Sequence, residues 1–275
     1  AGSKVTDELA EAAPLQKVTK NRTNKEAYHT WLERRPVKLT IFATIAILIG
    51  GMVQIIPSLI VDDYIPIISS VKPYTPLELN GRDLYIREGC VGCHSQMVRP
   101  FRSEVERYGE YAKAGEFVYD HPFLWGSKRT GPDLLRIGGK YSDNWHLNNF
   151  YDPQSTSSGS IMPSYKWLIN NELDKSDTEK KMEVMVSLGV PYTQEEIDSA
   201  QEWMLTQATQ IEKNLYADPD FAKTYEADKK YAQENGEAFV EMRNREVVAM
   251  IAYLQRLGTD IKVKNADDSA VIIND

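Results

Sequence analysis

The sequence predicts an all-α chain in two parts: one membrane-spanning helix near the N-terminus, then a soluble helical domain closed by its own two ends. Three observations carry this expectation. Residues 39–61, LTIFATIAILIGGMVQIIPSLIV, run for twenty-three positions without a charge. Residues 81–88 read as a short helix, and far away in sequence residues 246–257 carry apolar side chains at helical spacing and end at Gly258, a residue suited to the C′ position. Directly after the first of those helices, the chain's only 2 cysteines sit together in Cys90-Val91-Gly92-Cys93-His94.

As a helix, the uncharged stretch would be about 34 Å long, enough for a hydrocarbon core with some tilt. With 26% charged residues and a net charge of −8, the chain is too polar to surround a helix that is apolar on all sides. A cleaved signal peptide fits poorly as well, because the stretch is too long and no small-residue cleavage site follows it. The acidic balance also argues against nucleic-acid binding. Before the span come Lys17, Lys20, Arg22, Lys25, Arg34, Arg35 and Lys38, and after it come Asp62 and Asp63. The positive-inside rule therefore puts residues 1–38 in the cytoplasm and everything from about residue 62 outside. Trp31 stands where an aromatic anchor would meet the interface, and the basic run suits anionic lipid.

Two cysteines two residues apart, followed at once by histidine, form the attachment signature of a c-type haem. Each thiol adds across one vinyl group, and the adjacent imidazole then lies under the iron as proximal ligand. A thioredoxin-like pair needs no histidine at that place, and a zinc site would need further ligands. The expected cofactor is one covalent haem c on Cys90 and Cys93, with His94 as an axial ligand. Attachment of this kind takes place on the outer face of the bacterial membrane, in agreement with the topology read from charge.

The remaining segments follow from composition. Residues 1–38 read as a cytoplasmic extension and 62–79, with Pro66, Pro73 and Pro76, as an extended connector. Residues 80–260 form the haem domain, and 261–275 a flexible tail. Gly50-Gly51 in the anchor would let a partner helix approach closely. Ser176-x-x-Glu179 and Thr193-x-x-Glu196 both read as capping boxes, with Leu188-Gly189-Val190-Pro191 between the helices they start. Residues 206–244 are rich in Lys, Glu, Asp and Tyr and read as an inserted pair of surface helices, with a plain solvated face as the first reading and a docking element as the alternative.

Two Gly/Pro-rich loops bear on the iron. In Thr130-Gly131-Pro132-Asp133-Leu134, Pro132 is the candidate to accept a hydrogen bond from the proximal imidazole Nδ1. For the sixth ligand, 8 methionines and 4 histidines are available. Met52 is in the span, Met97 is tied to His94, and Met182, Met185, Met204, Met242 and Met250 lie in helix-patterned segments where core filling is the commoner role. Met162, in a non-helical loop before Pro163, is the first candidate, with His146 and His121 as alternatives. Arg82, Arg99, Arg102 and Arg129 are candidates to pair with haem propionates or partner carboxylates, Arg99 and Arg129 foremost.

Gly81, Tyr85, Tyr253 and Leu254 resemble the contact at which class I cytochromes c cross their terminal helices. A much longer run carries a closer resemblance: GRDLYIREGCVGCHSQMVRPFRSEVERYGEYAKAGEFVYDHPFLWGSKRTGPDLLRIGGKYSDNWH, then IMPSYKWL and LGVPYT. From about residue 39 to 205, and again from 246 to 260, the chain resembles the mono-haem cytochrome c subunit (CcoO or FixO, subunit II) of cbb-type, C-family cytochrome c oxidases. That resemblance implies His94 and Met162 as axial ligands. It also implies a catalytic partner subunit carrying haem b and a haem b–copper site, and a di-haem cytochrome c subunit or soluble cytochrome c as donor. The complex would reduce oxygen to water and pump protons at the bacterial inner membrane, with this chain as an electron carrier and no catalytic residue of its own. The extension before the anchor departs from the family pattern and fits either a separate subunit or a fusion with the catalytic one. Two rival readings are the small cytochrome c subunit of nitric oxide reductase and a haem-based sensor or assembly scaffold.

Overall fold

A computed structural model describes residues 30–60 and 68–262. The expectations for Lys17, Lys20, Arg22, Lys25, Asp62, Asp63, Pro66 and the 263–275 tail lie outside the described residues. The chain divides into two units, Ala1–Tyr64 and Ile65–Asp275.

In the first unit, α1 (Pro36–Ile60) is one helix long and apolar enough to cross a membrane. Pro36 at its first position costs nothing, because the missing N–H would be unpaired there anyway. The Arg35 guanidinium lies 4.2 Å and the Lys38 ammonium 5.1 Å from the Trp31 ring centre, so the aromatic and two of the flanking cations form one cluster.

The second unit is mostly helical, with turns and loops between its helices, and the single β-bridge among its described residues joins Glu172 to Arg245. Its helices are α2 (Pro76–Arg87), α3 (Arg102–Tyr108), α4 (Asp143–Tyr151), α5 (Pro153–Thr156), α6 (Lys166–Asn170), α7 (Thr178–Ser187), α8 (Gln194–Asp198), α9 (Ala200–Tyr216), α10 (Pro219–Asn235) and α11 (Glu246–Arg256). The expected pairing of α2 with α11 is present. A Cβ built on Gly81 would stand 2.0 Å from the Ala249 carbonyl oxygen and 2.8 Å from Tyr253 Cβ, so the two backbones touch at this glycine. The Tyr85 and Tyr253 rings lie 5.4 Å apart beside the contact. At its end, Arg87 reaches both carboxylate oxygens of the buried Glu246, at 2.6 and 2.8 Å.

Three expectations are corrected. The first helix starts at Pro76, not near Gly81, so the last residues of the expected connector are helical. Thr75 is its N-cap, and a capping box links Thr75 and Glu78 in both directions. The prolines that suggested extended chain include one at the favoured first helical position. Ser176 starts no helix: α7 begins after Asp177, and Ser176 instead bonds Asp174 through its N–H and hydroxyl. The Thr193–Glu196 box is formed.

The third correction concerns residues 206–244. Helix α9 runs through from Ala200 and buries Met204, Ala208, Ile211 and Leu215 in the same core as α2 and α11. Helix α10 adds Tyr225, whose hydroxyl accepts from the Met242 N–H at 2.7 Å. The charged residues hide a face of small and aliphatic side chains spaced four, three and four apart, enough for burial.

Candidate functional site

Past α2, Gly89 turns the chain with φ of 71° and Cys90–Gly92 makes one 3-10 turn. The N–H groups of Cys93 and His94 both donate to the Cys90 carbonyl, at 3.1 and 2.9 Å. Both cysteines are free thiols, Cys90 half-buried and Cys93 exposed. Burial, aided by the Glu88 charge, pushes the Cys90 thiol up to about 12, so it is protonated at neutral pH.

A second strand of loop is zipped along this segment. The Gly131 N–H donates to the Cys93 carbonyl at 3.0 Å, and the Leu134 N–H to the Ser95 carbonyl at 2.9 Å. Between those rungs the Pro132 carbonyl oxygen lies 2.8 Å from His94 Nδ1. A carbonyl only accepts, so the ring proton belongs on Nδ1 and Nε2 keeps a free lone pair. Gly131 lies against the imidazole: a Cβ there would stand 2.2 Å from Cε1 and 2.7 Å from Nδ1. The next residue, Asp133, holds the loop by accepting from the Ser95 hydroxyl at 2.6 Å and the Met97 N–H at 2.9 Å. The fixed imidazole beside two thiols fits the donor set of a haem-attachment site.

The four arginine candidates are all engaged within the protein. Arg129 donates to the Ser95 hydroxyl at 2.7 Å, and to the Met97 carbonyl and Glu104 at 2.8 Å. Arg99 pairs with Glu104 as well. Hydrogen bonding from Arg129 and Arg99 pulls the Glu104 carboxyl down to about 2, so the cluster stays ionised and buttresses the loop. Arg82 is buried next to Asp120 and donates to the His121 carbonyl at 3.1 Å, while Arg102 makes an exposed pair with Glu106 at 2.7 Å.

Met162 is half-buried against the main core cluster, as is Cys90. One contact joins the helix after its loop to the end of α2: the Trp167 indole N–H donates to Glu88, the residue before Gly89, at 2.9 Å. The Met162 sulfur itself receives a hydrogen bond from Asn149 Nδ2 at 3.6 Å. Asn149 carried no mark in the sequence beyond ordinary helix composition, and Gly131 and Asp133 none beyond their place in the loop singled out for Pro132.

Of the alternatives to Met162, His121 offers its backbone carbonyl to Arg82, and His146 is buried on α4. Among the described residues no hydrogen-bond partner stands at His146 Nε2. Burial holds its imidazole down from the ordinary 6.5 to about 4, so it folds neutral. The unfolded chain takes up this proton below about pH 6.5 and the folded chain only near pH 4. Stability therefore falls through that window, by up to roughly 3 kcal/mol. Denaturation midpoints measured from pH 7 to 4 should show this slope and lose it in His146→Phe; an equal slope in both would disprove the assignment.

The model of one protein family matches residues 29–261: cytochrome c oxidase, mono-haem subunit/FixO. The chain belongs to the FixO family. The match covers α1 and all the helices of the second unit, so one haem and membership of an oxidase complex come with the family. A comparison with curated proteins finds no match. Within this FixO chain, the cysteine turn and its zipped loop bring together residues that could hold that haem.

Proposed function

We propose that this FixO chain is the membrane-anchored electron relay of a cbb-type oxidase. One haem c would be held covalently by Cys90 and Cys93, with His94 and Met162 on the iron. The observation that carries the reading is the His94 imidazole, fixed by the Pro132 carbonyl at 2.8 Å with Nε2 left free, one residue from a free thiol. The bound haem supplies one-electron redox chemistry. The chain's part is to orient the imidazole, present a thioether, and anchor the domain at the membrane. Arg34, Arg35 and Lys38 at the start of α1 support a cytoplasmic N-terminus and a periplasmic domain in the bacterial inner membrane. The partners in this reading are the haem b–copper catalytic subunit as acceptor, and a di-haem cytochrome c subunit or soluble cytochrome c as donor. The complex reduces oxygen to water and pumps protons. Arg99 and Arg129, both paired with Glu104, are the propionate partners of this reading.

The test is on complex purified in mild detergent. Haem should stay with the denatured chain and be lost from it when both cysteines are replaced by alanine. Met162→Leu should abolish the far-red charge-transfer band of thioether ligation and lower the haem potential. An unchanged band and potential would assign the sixth position elsewhere, with His146 and His121 next in line.

A further inference from the structure

Met162 ends a short loop folded back on α4. The loop is closed at both sides: the Met162 N–H donates to Ser160 Oγ at 3.2 Å, and the Tyr165 N–H to the Phe150 carbonyl at 2.7 Å. Neither bond fixes the thioether itself, which sits on a side chain with three rotatable bonds. The Asn149 amide does, through Nδ2 at 3.6 Å from the sulfur. The amide is braced from its other end by Thr156 on α5, whose hydroxyl donates to Asn149 Oδ1 at 2.7 Å and also lies 3.1 Å from the Pro153 carbonyl. A hydroxyl can pair with either amide atom, but a flipped amide would point a lone pair at the sulfur and lose the Nδ2 bond to it, so the sulfur selects the orientation.

We propose that Asn149, held by Thr156, is a positioning residue for the Met162 thioether: it takes one sulfur lone pair and leaves the other for the haem iron. This rests on Met162 being the sixth ligand. A donor on the sulfur also withdraws electron density from it. The ferric state depends more on that density than the ferrous state does, so the hydrogen bond raises the haem potential.

The experiment uses the purified oxidase complex carrying Asn149→Leu, Thr156→Val or both. The readouts are the haem c midpoint potential and the far-red band. The expected result is an intact band with the potential shifted downward in Asn149→Leu, and a smaller shift of the same sign in Thr156→Val. The double variant should equal Asn149→Leu alone, because Thr156 acts only through the amide. An intact band with unchanged potential in Asn149→Leu overturns the proposal. Should Asn149→Leu fail to accumulate, Thr156→Val on the half-buried turn carries the test, and an unchanged potential there overturns it equally. A band that is missing already in the unaltered complex overturns the ligand reading and this proposal with it, an outcome distinct from an intact band that does not respond.

Discussion

Gly131→Ala is expected to strip the chain of most of its correctly ligated haem. The new methyl carbon would stand 2.2 Å from His94 Cε1, 2.7 Å from Nδ1 and 2.8 Å from Nε2, inside van der Waals contact with three ring atoms at once. The residue cannot retreat easily, because its N–H is bonded to the Cys93 carbonyl at 3.0 Å and the loop beyond it is pinned through Asp133. The imidazole must therefore swing out, which breaks its contact with the Pro132 carbonyl and misdirects Nε2. Loss of a partner that orients a metal-bound histidine typically costs 10–100-fold in affinity or activity; here the ring itself is displaced, so about the upper end of that range is expected. Haem per polypeptide and the low-spin absorption spectrum measure it. Normal haem content with an unchanged spectrum and potential would show that the proximal imidazole does not rest on Gly131.

The contrast between Pro132 and Gly131 shows what was legible in the sequence. A proline in a Gly-Pro-Asp turn stands out by composition, and its carbonyl oxygen lies 2.8 Å from His94 Nδ1. The neighbouring glycine's role depends on which ring it faces, and only the fold brings residue 131 to residue 94. The same holds for Asn149 and Met162, joined by a turn whose path is not periodic. Helix α1 was legible because its uncharged length stands out from the rest of the chain, and α11 because its apolar side chains keep one period to the end. The buried face of helix α9 is hard to see in the sequence for a physical reason. It includes Ala200 and Ala208, small residues that add little to an apolar pattern yet let a helix pack closely. The start of α2 was misread because proline is extended-chain evidence in most places and a helix start in one.

Gly81→Ala should destabilise the haem domain by roughly 2 kcal/mol, although alanine is the better helix former. Two effects oppose each other. Removing a glycine from a helix interior contributes about 0.5–1 kcal/mol in favour of the variant. Against it stands a contact of 2.0 Å to the Ala249 carbonyl oxygen and 2.6 Å to its carbon, both backbone atoms that no side-chain rotation can move. Relief requires α2 and α11 to part by about an ångström, and overpacking of this kind costs typically 1–3 kcal/mol or more. The cost falls on the most buried surface of the domain, since Val247, Val248, Ala249, Met250, Ile251 and Tyr253 are all fully enclosed there. Parting the helices also loosens Tyr85 and Tyr253, and through the Tyr253 hydroxyl the buried Gln96 two residues after His94. The damage should thus reach the cysteine turn. Chemical unfolding followed by helical circular dichroism and by haem absorption should show both transitions moving to lower denaturant together, and further for Gly81→Val. A midpoint equal to that of the unaltered chain would mean that the two helices do not meet at this glycine.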